Sequence, residues 1–218
     1  MKNKIWTSLA ILSTVFTLSA IIQGCASKTI NESNPKEMYD DANQDIENDR
    51  YMLALDKLRI VKSKFSYSNY GALAQLRIGD VYFLQDSFTE SAAAYETFTE
   101  LYPKHEKAPY ALFRSGEAYF KDIPSTIQRD MRSAESSISS FSLYLKKYPN
   151  GEFATQAKDM KLKAYNKLAE KELDVAQFYI RRKKPDAAKA RLQKILDQYG
   201  ESTVAAQAKE LIQHLPYE

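Results

Sequence analysis

The sequence has few of the residues that cross-link chains or make tight turns. Cysteine occurs once in 218 residues, so no disulfide can form within the chain. Six glycines and seven prolines are few for a protein built of short strands and turns. Ala, Leu, Lys, Glu and Gln are common, and these residues favour helix. The composition therefore predicts an all-α protein.

Residue types that carry chemistry are also scarce. The two histidines, His105 and His214, do not have the spacing of metal ligands. No glycine-rich phosphate loop occurs, and the carboxylates fall on predicted helix surfaces. The sequence thus predicts no enzyme, no metal and no cofactor. The alternative is an enzyme accessory subunit, or a hydrolase whose site is not recognisable from the sequence.

The excess of charge is small once the first 24 residues are set aside. That stretch holds two lysines and no acids, which leaves 29 basic and 28 acidic residues, a net charge of +1. A general nucleic-acid binder should carry a strong basic excess. The charge therefore argues against nucleic acid as a partner.

The chain begins like a secretory signal. Lys2 and Lys4 precede an uncharged stretch from Ile5 to Ile22, after which the chain turns polar. A basic start, an apolar core and a small residue before the cut are typical of a cleaved signal peptide. The alternative is an uncleaved anchor, since 18 uncharged residues nearly span a bilayer.

The only cysteine sits where a lipid anchor would be attached. Residues 22–25, Ile-Gln-Gly-Cys, resemble a bacterial lipobox. That resemblance implies cleavage after Gly24 and acylation of Cys25, which would hold the chain on outer-membrane lipid; two or more acyl chains anchor stably. Ala26 in place of Asp favours the outer membrane over the inner one. We therefore predict a signal peptide over 1–24, an acylated cysteine and tether over 25–35, and a helical repeat domain over 36–218.

A helical repeat runs through the mature chain. Small residues recur 37 positions apart at Ala42, Gly79 and Gly116 in the predicted first helices. In each predicted second helix a small residue is followed by large residues four and seven positions later, on the same helix face. A Tyr-Pro pair closes the second and third units, and nine extra residues interrupt the third. The pattern resembles the tetratricopeptide repeat. It predicts a right-handed solenoid of about nine helices, with one long helix over 152–182 and a last helix that caps the array.

Solenoids of this kind usually bind peptides or proteins along their concave face, which the first helix of each hairpin lines. Residues at i, i+4 and i+7 share one helix face. The alternative is that some of them pack against the neighbouring repeat. The predicted groove residues are Tyr39, Asn43, Leu76, Asp80, Phe83, Phe113, Glu117 and Phe120.

Three features together resemble the BamD family, the lipoproteins of the outer-membrane β-barrel assembly (Bam) machine. The first is the insertion in the third hairpin, with Arg129, Asp130 and a closing Tyr-Pro-Asn-Gly. The second is the stretch from Leu168 to Gly200, which contains the Val-Ala-x-Phe-Tyr run of the family's long helix. The third is the lipobox ahead of the repeats. The family usually completes a fifth hairpin, whereas this sequence ends at Glu218, after the first helix of that hairpin.

The resemblance implies a lipid-anchored scaffold on the periplasmic side of the outer membrane of a Gram-negative bacterium. Its expected partners are the barrel-forming BamA-type subunit, other Bam lipoproteins and unfolded outer-membrane proteins. The family docks its barrel-forming partner near the fourth hairpin, where residues 158–194 carry 12 basic and 5 acidic residues. The predicted docking residues are Arg181, Arg182, Lys183, Lys184 and Arg191.

Two other repeat lipoproteins remain alternatives. One is a pilotin that escorts a pilus secretin, and the other is a periplasmic adaptor between envelope machinery and cell-wall synthesis. The insertion in the third hairpin argues against the pilotin.

Overall fold

The structure is a computed structural model, and it describes residues 33–215. The predicted signal peptide, Cys25 and most of the predicted tether lie outside the described residues. Within them the chain forms nine α-helices and no strand, and each helix packs against the next, which confirms the helical repeat solenoid. The helices are α1 (Pro35–Glu47), α2 (Tyr51–Lys64), α3 (Asn69–Leu84), α4 (Phe88–Leu101), α5 (Ala108–Lys121), α6 (Arg132–Lys147), α7 (Ala154–Arg181), α8 (Pro185–Gln198) and α9 (Ala205–Gln213).

Local sequence sets where the helices begin and end. Before α1, the Asn34 side chain accepts a hydrogen bond from the Lys36 amide at 3.0 Å, and Pro35 occupies the first helical position. Pro103 and Pro149 stand two residues beyond the ends of α4 and α6, where proline cannot continue a helix. These signals separate the hairpins.

The repeat is maintained by close contacts between glycine and an aromatic ring. A Cβ atom on Gly79 would lie 2.8 Å from Cε1 of Tyr95, and one on Gly116 would lie 2.8 Å from Cδ1 of Phe141. Both glycines are in first helices and both rings are in second helices. The spacing of small and large residues therefore marks the place where the two helices of a hairpin touch.

Each of these contacts carries the same hydrogen bond. The Ser91 hydroxyl donates to the Gly79 carbonyl at 2.9 Å, and the Ser137 hydroxyl donates to the Gly116 carbonyl at 3.0 Å. Both serines are buried, so the bond satisfies a hydroxyl that would otherwise be costly to bury. The second and third hairpins thus share chemistry as well as shape.

The first, second and fourth hairpins share one three-residue turn. Its middle residue is Asp49, Asp86 or Lys183, with φ of 56°, 56° and 55°. The next amide closes the turn on the carbonyl five residues back, at 2.8–3.0 Å. Aspartate tolerates this left-handed conformation better than lysine does.

The third hairpin replaces that turn with a ten-residue loop over 122–131, which we call the insertion loop. Met131 is buried in a core cluster with Ala134 of α6 and Leu168 of α7. Lys171 of α7 donates to the carbonyl of Arg129 at 2.9 Å. The loop is therefore held from both sides, by its own hairpin and by α7.

Helix α7 serves two hairpins, which explains its length. Its first half packs on α6, where Ala157 joins the core of the third hairpin. Its second half packs on α8, and Ala176 and Leu192 share a core with Ala208 of α9. The prediction of one long helix over 152–182 is confirmed, and so is the helix that covers the last hairpin.

The acidic residues of the first hairpin are largely neutralised inside it. Asp45 is only 2% exposed and pairs with Arg50 at 2.7 Å and with Lys57 at 2.6 Å. Lys57 also pairs with Asp41. Burial alone would lower the pKa of Lys57, but the two aspartates outweigh it and raise that pKa. These ion pairs link α1 to α2 and to the turn between them.

Candidate functional site

A polar network runs along one face of the first helices. Arg77 pairs with Asp80 at 3.2 Å, and Arg114 pairs with Glu117 at 2.7 Å. The two pairs stand 37 residues apart, one repeat. Arg77 also donates from Nε to the Asn43 side chain of α1 at 2.8 Å. The three central residues of the predicted groove, Asn43, Asp80 and Glu117, are therefore bonded within the protein.

Asp80 is the centre of this network. One of its oxygens accepts hydrogen bonds from the Tyr95 hydroxyl at 2.6 Å and from the Tyr110 hydroxyl at 3.1 Å. Burial, followed by the Asp80 charge, raises the pKa of Tyr95 and raises the pKa of Tyr110 to about 12. Because Asp80 joins α3, α4 and α5, its first role is structural.

Leu76 and Phe113 are almost fully buried, which is the alternative that the sequence left open for the predicted groove residues. They are only 7% and 5% exposed. Leu76 shares a core cluster with Ala108 of the next hairpin. Phe113 stacks on Phe153, also of the next hairpin, with centroids 4.6 Å apart. In these two hairpins the position faces the start of the next first helix, so its large side chain is buried.

The other three predicted groove aromatics keep part of their surface open. Tyr39, Phe83 and Phe120 are half-buried. The Tyr39 ring lies 5.8 Å from that of Tyr70. The Arg114 guanidinium carbon lies 3.9 Å from the centroid of the Phe83 ring, a cation–π contact that fixes the arginine. Part of each of the three side chains therefore remains exposed to solvent.

A cleft of about 500 Å³ opens between α5 and the start of α7, and we call it the α5–α7 cleft. Phe113 lines the buried floor of this cleft. Phe120 also lines it and is the predicted groove aromatic that stays partly exposed there. Helix α5 forms one side of the cleft, with Tyr110, Phe113, Arg114, Glu117, Phe120 and Lys121. The residue before α7 and the first turns of α7 form the other side, with Phe153, Gln156, Asp159, Met160 and Lys163. Phe153 is not among the predicted groove residues. The feature of the sequence that indicates it is its position just after the Tyr-Pro-Asn-Gly turn, where the next first helix begins.

A second cavity of about 440 Å³ lies between the insertion loop and α7, and we call it the loop cleft. Phe120, Ile123 and Pro124 give it an apolar side. It shares Phe120 and Lys163 with the α5–α7 cleft, so the two clefts are contiguous. The remaining lining residues are Ser125, Asn166, Lys167 and Glu170.

The predicted docking cluster is an exposed turn. Arg181 at the end of α7 and Arg182, Lys183 and Lys184 in the turn before α8 are all exposed. The Arg182 guanidinium lies 5.4 Å from the ring of Phe178, which is itself 45% exposed. The left-handed turn at Lys183 fixes the backbone between them. Four cations and one aromatic ring are thus presented together.

Arg191 stands apart from that cluster because it already has a partner. Its guanidinium pairs with Glu172 of α7 at 3.0 Å, and Lys194 pairs with the other oxygen of Glu172 at 2.5 Å. Burial alone would raise the pKa of Glu172, but Lys194 and Arg191 outweigh it and lower that pKa. A carboxylate of another protein would have to share or replace Glu172 to bind Arg191.

Comparison with known proteins agrees with the resemblance. A family model described as YfiO, outer membrane lipoprotein, matches residues 31–215. Outer membrane protein assembly factor BamD of Vibrio cholerae is 26% identical over 92% of this chain and 87% of its own length. The protein of the same name from Neisseria meningitidis serogroup A is 27% identical over 75% of this chain and 65% of its own length. That of Pasteurella multocida is 25% identical over 97% of this chain and 83% of its own length. Among residues 33–215, no helix has the length and apolar character needed to cross a bilayer.

Proposed function

The chain belongs to the YfiO family of outer membrane lipoproteins, and from that membership we propose that it works in outer-membrane protein assembly. Its relatives carry the name of an assembly factor. In this role the mature domain is a scaffold in the periplasm, held on the outer membrane through acylated Cys25. It binds segments of unfolded outer-membrane proteins and docks the barrel-forming subunit of the Bam complex.

The α5–α7 cleft is the observation that supports substrate binding. Tyr110, Phe120 and Phe153 form its aromatic walls. The Tyr110 and Phe153 rings are 6.1 Å apart between centroids, and Phe120 and Phe153 pack against the core of the third hairpin. An extended segment can lay one apolar side chain between them. Because the walls are already in place, binding costs little ordering of the protein.

Arg114 gives the cleft a fixed cation. It is held from one side by the Phe83 ring and from another by Glu117. Arg114 already donates from Nη1 to Glu117 and from Nε to the Tyr95 hydroxyl, so a new carboxylate would accept a charge-assisted hydrogen bond from Nη2. A peptide that ends in an aromatic residue can therefore place its ring against Phe153 and its terminal carboxylate near Arg114.

The test is the affinity of a peptide from the C-terminus of an outer-membrane barrel protein, measured by fluorescence anisotropy. Phe120→Ala should weaken binding about tenfold, because it removes one aromatic wall. Phe178→Ala is the matched control, since it removes an exposed ring outside the cleft. Equal affinity in the two variants, with both folded by circular dichroism, would contradict this site.

The exposed turn at residues 181–184 supports the docking proposal. Four cations on one rigid turn attract an acidic surface before contact, and salt screens such attraction. Phe178 beside them offers an apolar contact once the partners meet. Arg191, the fifth predicted docking residue, binds a carboxylate of the partner only if that carboxylate shares or replaces Glu172.

Docking is tested by association kinetics with the periplasmic domains of the barrel-forming subunit. Arg181→Gln with Lys184→Gln should slow association several-fold at low salt, because it halves the cluster charge. The control is Lys104→Gln with Lys107→Gln, which removes the same charge from an exposed turn elsewhere. If both pairs slow association alike, net charge rather than this turn steers docking.

A further inference from the structure

Three lysines stand in line on the face of α7 that looks at the insertion loop. Lys163, Lys167 and Lys171 are four residues apart, a spacing that keeps side chains on one helix face. Lys163 and Lys167 line the loop cleft. Lys171 holds the loop through the carbonyl of Arg129. We call these residues the lysine row.

The acids near the lysine row neutralise it only weakly. Lys163 pairs with Asp159 at 2.7 Å, but both side chains are more than half exposed. Lys167 is 3.6 Å from Glu170, near the limit of an ion pair. Exposed pairs of this kind contribute little and exchange readily with other charges. The loop cleft therefore combines an apolar side with cations that can bind a new anion.

We propose that the lysine row determines substrate specificity by binding acidic residues of the segment whose aromatic end occupies the α5–α7 cleft. This inference rests on the proposed function, because it assigns the second half of the same bound segment. The continuity of the two clefts through Phe120 and Lys163 allows one extended segment to occupy both. The apolar side of the loop cleft then takes the aliphatic side chains between the charges.

The geometry fixes where those acids stand. Lys163 and Lys167 are ten and fourteen residues beyond Phe153 along α7. At the helical rise these positions are about 15 and 21 Å from Phe153, and an extended chain covers about 3.3 Å per residue. The acids are therefore expected about four to six residues before the aromatic end of the bound segment.

The experiment uses the full mature chain and two synthetic ten-residue peptides. Both end in Phe, and they differ only in carrying Glu or Lys at the fifth and seventh positions from the end. Wild-type protein should bind the Glu peptide about two- to fivefold more tightly at low salt, the range of exposed ion pairs, and the preference should shrink as salt is raised. Lys167→Glu should reverse the preference.

Lys158→Glu is the matched control. Lys158 is exposed on the same helix, nine residues before Lys167, which places it on the opposite face. This variant should keep the preference of the wild type. If the wild type binds both peptides equally, or if both variants change the preference alike, the lysine row does not select acids, although the α5–α7 cleft stands. If neither peptide binds the wild type, the proposed substrate site itself is overturned and this inference falls with it.

Discussion

Replacing Asp80 should destabilise the protein far more than replacing its counterpart one repeat later. In Asp80→Ala the fully buried Tyr95 loses the acceptor for its hydroxyl, which alone costs about 1–3 kcal/mol. Tyr110 loses the same acceptor at a half-buried site, and Arg77 keeps only Asn43. Together these losses lower the free energy of unfolding by about 2–4 kcal/mol. In a chain of this size they lower Tm by about 5–15 °C.

Glu117→Ala is the control for that experiment. Glu117 occupies the same position of the repeat but makes only one pair along its own helix, with Arg114. Such a pair contributes less than about 1 kcal/mol. Urea unfolding followed by far-UV circular dichroism compares the two, since the only tryptophan, Trp6, lies in the predicted signal peptide. Equal loss in the two variants would refute the central role of Asp80, and so would an unchanged Asp80→Ala.

Three further predictions concern the backbone, the tyrosines and the anchor. Lys183→Gly should raise the free energy of unfolding by about 0.5–1 kcal/mol, because glycine adopts a positive φ without strain. Asp49→Gly should raise it less, because aspartate tolerates this conformation better than lysine. A lower free energy of unfolding for Lys183→Gly in urea would contradict this prediction. Tyr110 and Tyr119 both have their pKa raised by burial to about 12, so their contribution is complete below pH 10 and is lost as pH rises from 10 to 12. Tyr110→Phe should make the urea midpoint fall less steeply as pH rises from 10 to 12. The same fall in the variant and the wild type would contradict a stabilising role of the Tyr110 hydroxyl. Cys25→Ser should abolish palmitate labelling and leave a larger precursor, and labelling that persists would rule out the lipid anchor.

Much of the fold could be predicted because small and large residues recur at the positions where the two helices of each hairpin touch. Gly79 and Gly116 admit the rings of Tyr95 and Phe141, and no other residue type allows the same approach. The positions and sizes of these residues are therefore enough to predict the hairpins and their order. The long helix followed from the absence of any Pro or Gly between 152 and 182.

The candidate site was harder to predict because one helix face serves two purposes. The sequence predicts Leu76 and Phe83 in the same groove, but Leu76 is buried against the next hairpin and Phe83 is only half-buried. Asp80 is a polar residue of the kind that contacts ligands, but it binds Tyr95 and Tyr110, which come from two other helices. Contacts between repeats depend on their spacing in three dimensions, which periodicity along the chain does not give.

The most direct test of the assembly role is to identify what co-purifies with the full-length lipoprotein from detergent-solubilised outer membrane. We expect a barrel protein with repeated periplasmic domains, recovered in near-stoichiometric amount and reduced by Arg181→Gln with Lys184→Gln. Recovery of a pilus secretin instead, with no barrel-forming subunit, would contradict the proposed function and favour a pilotin.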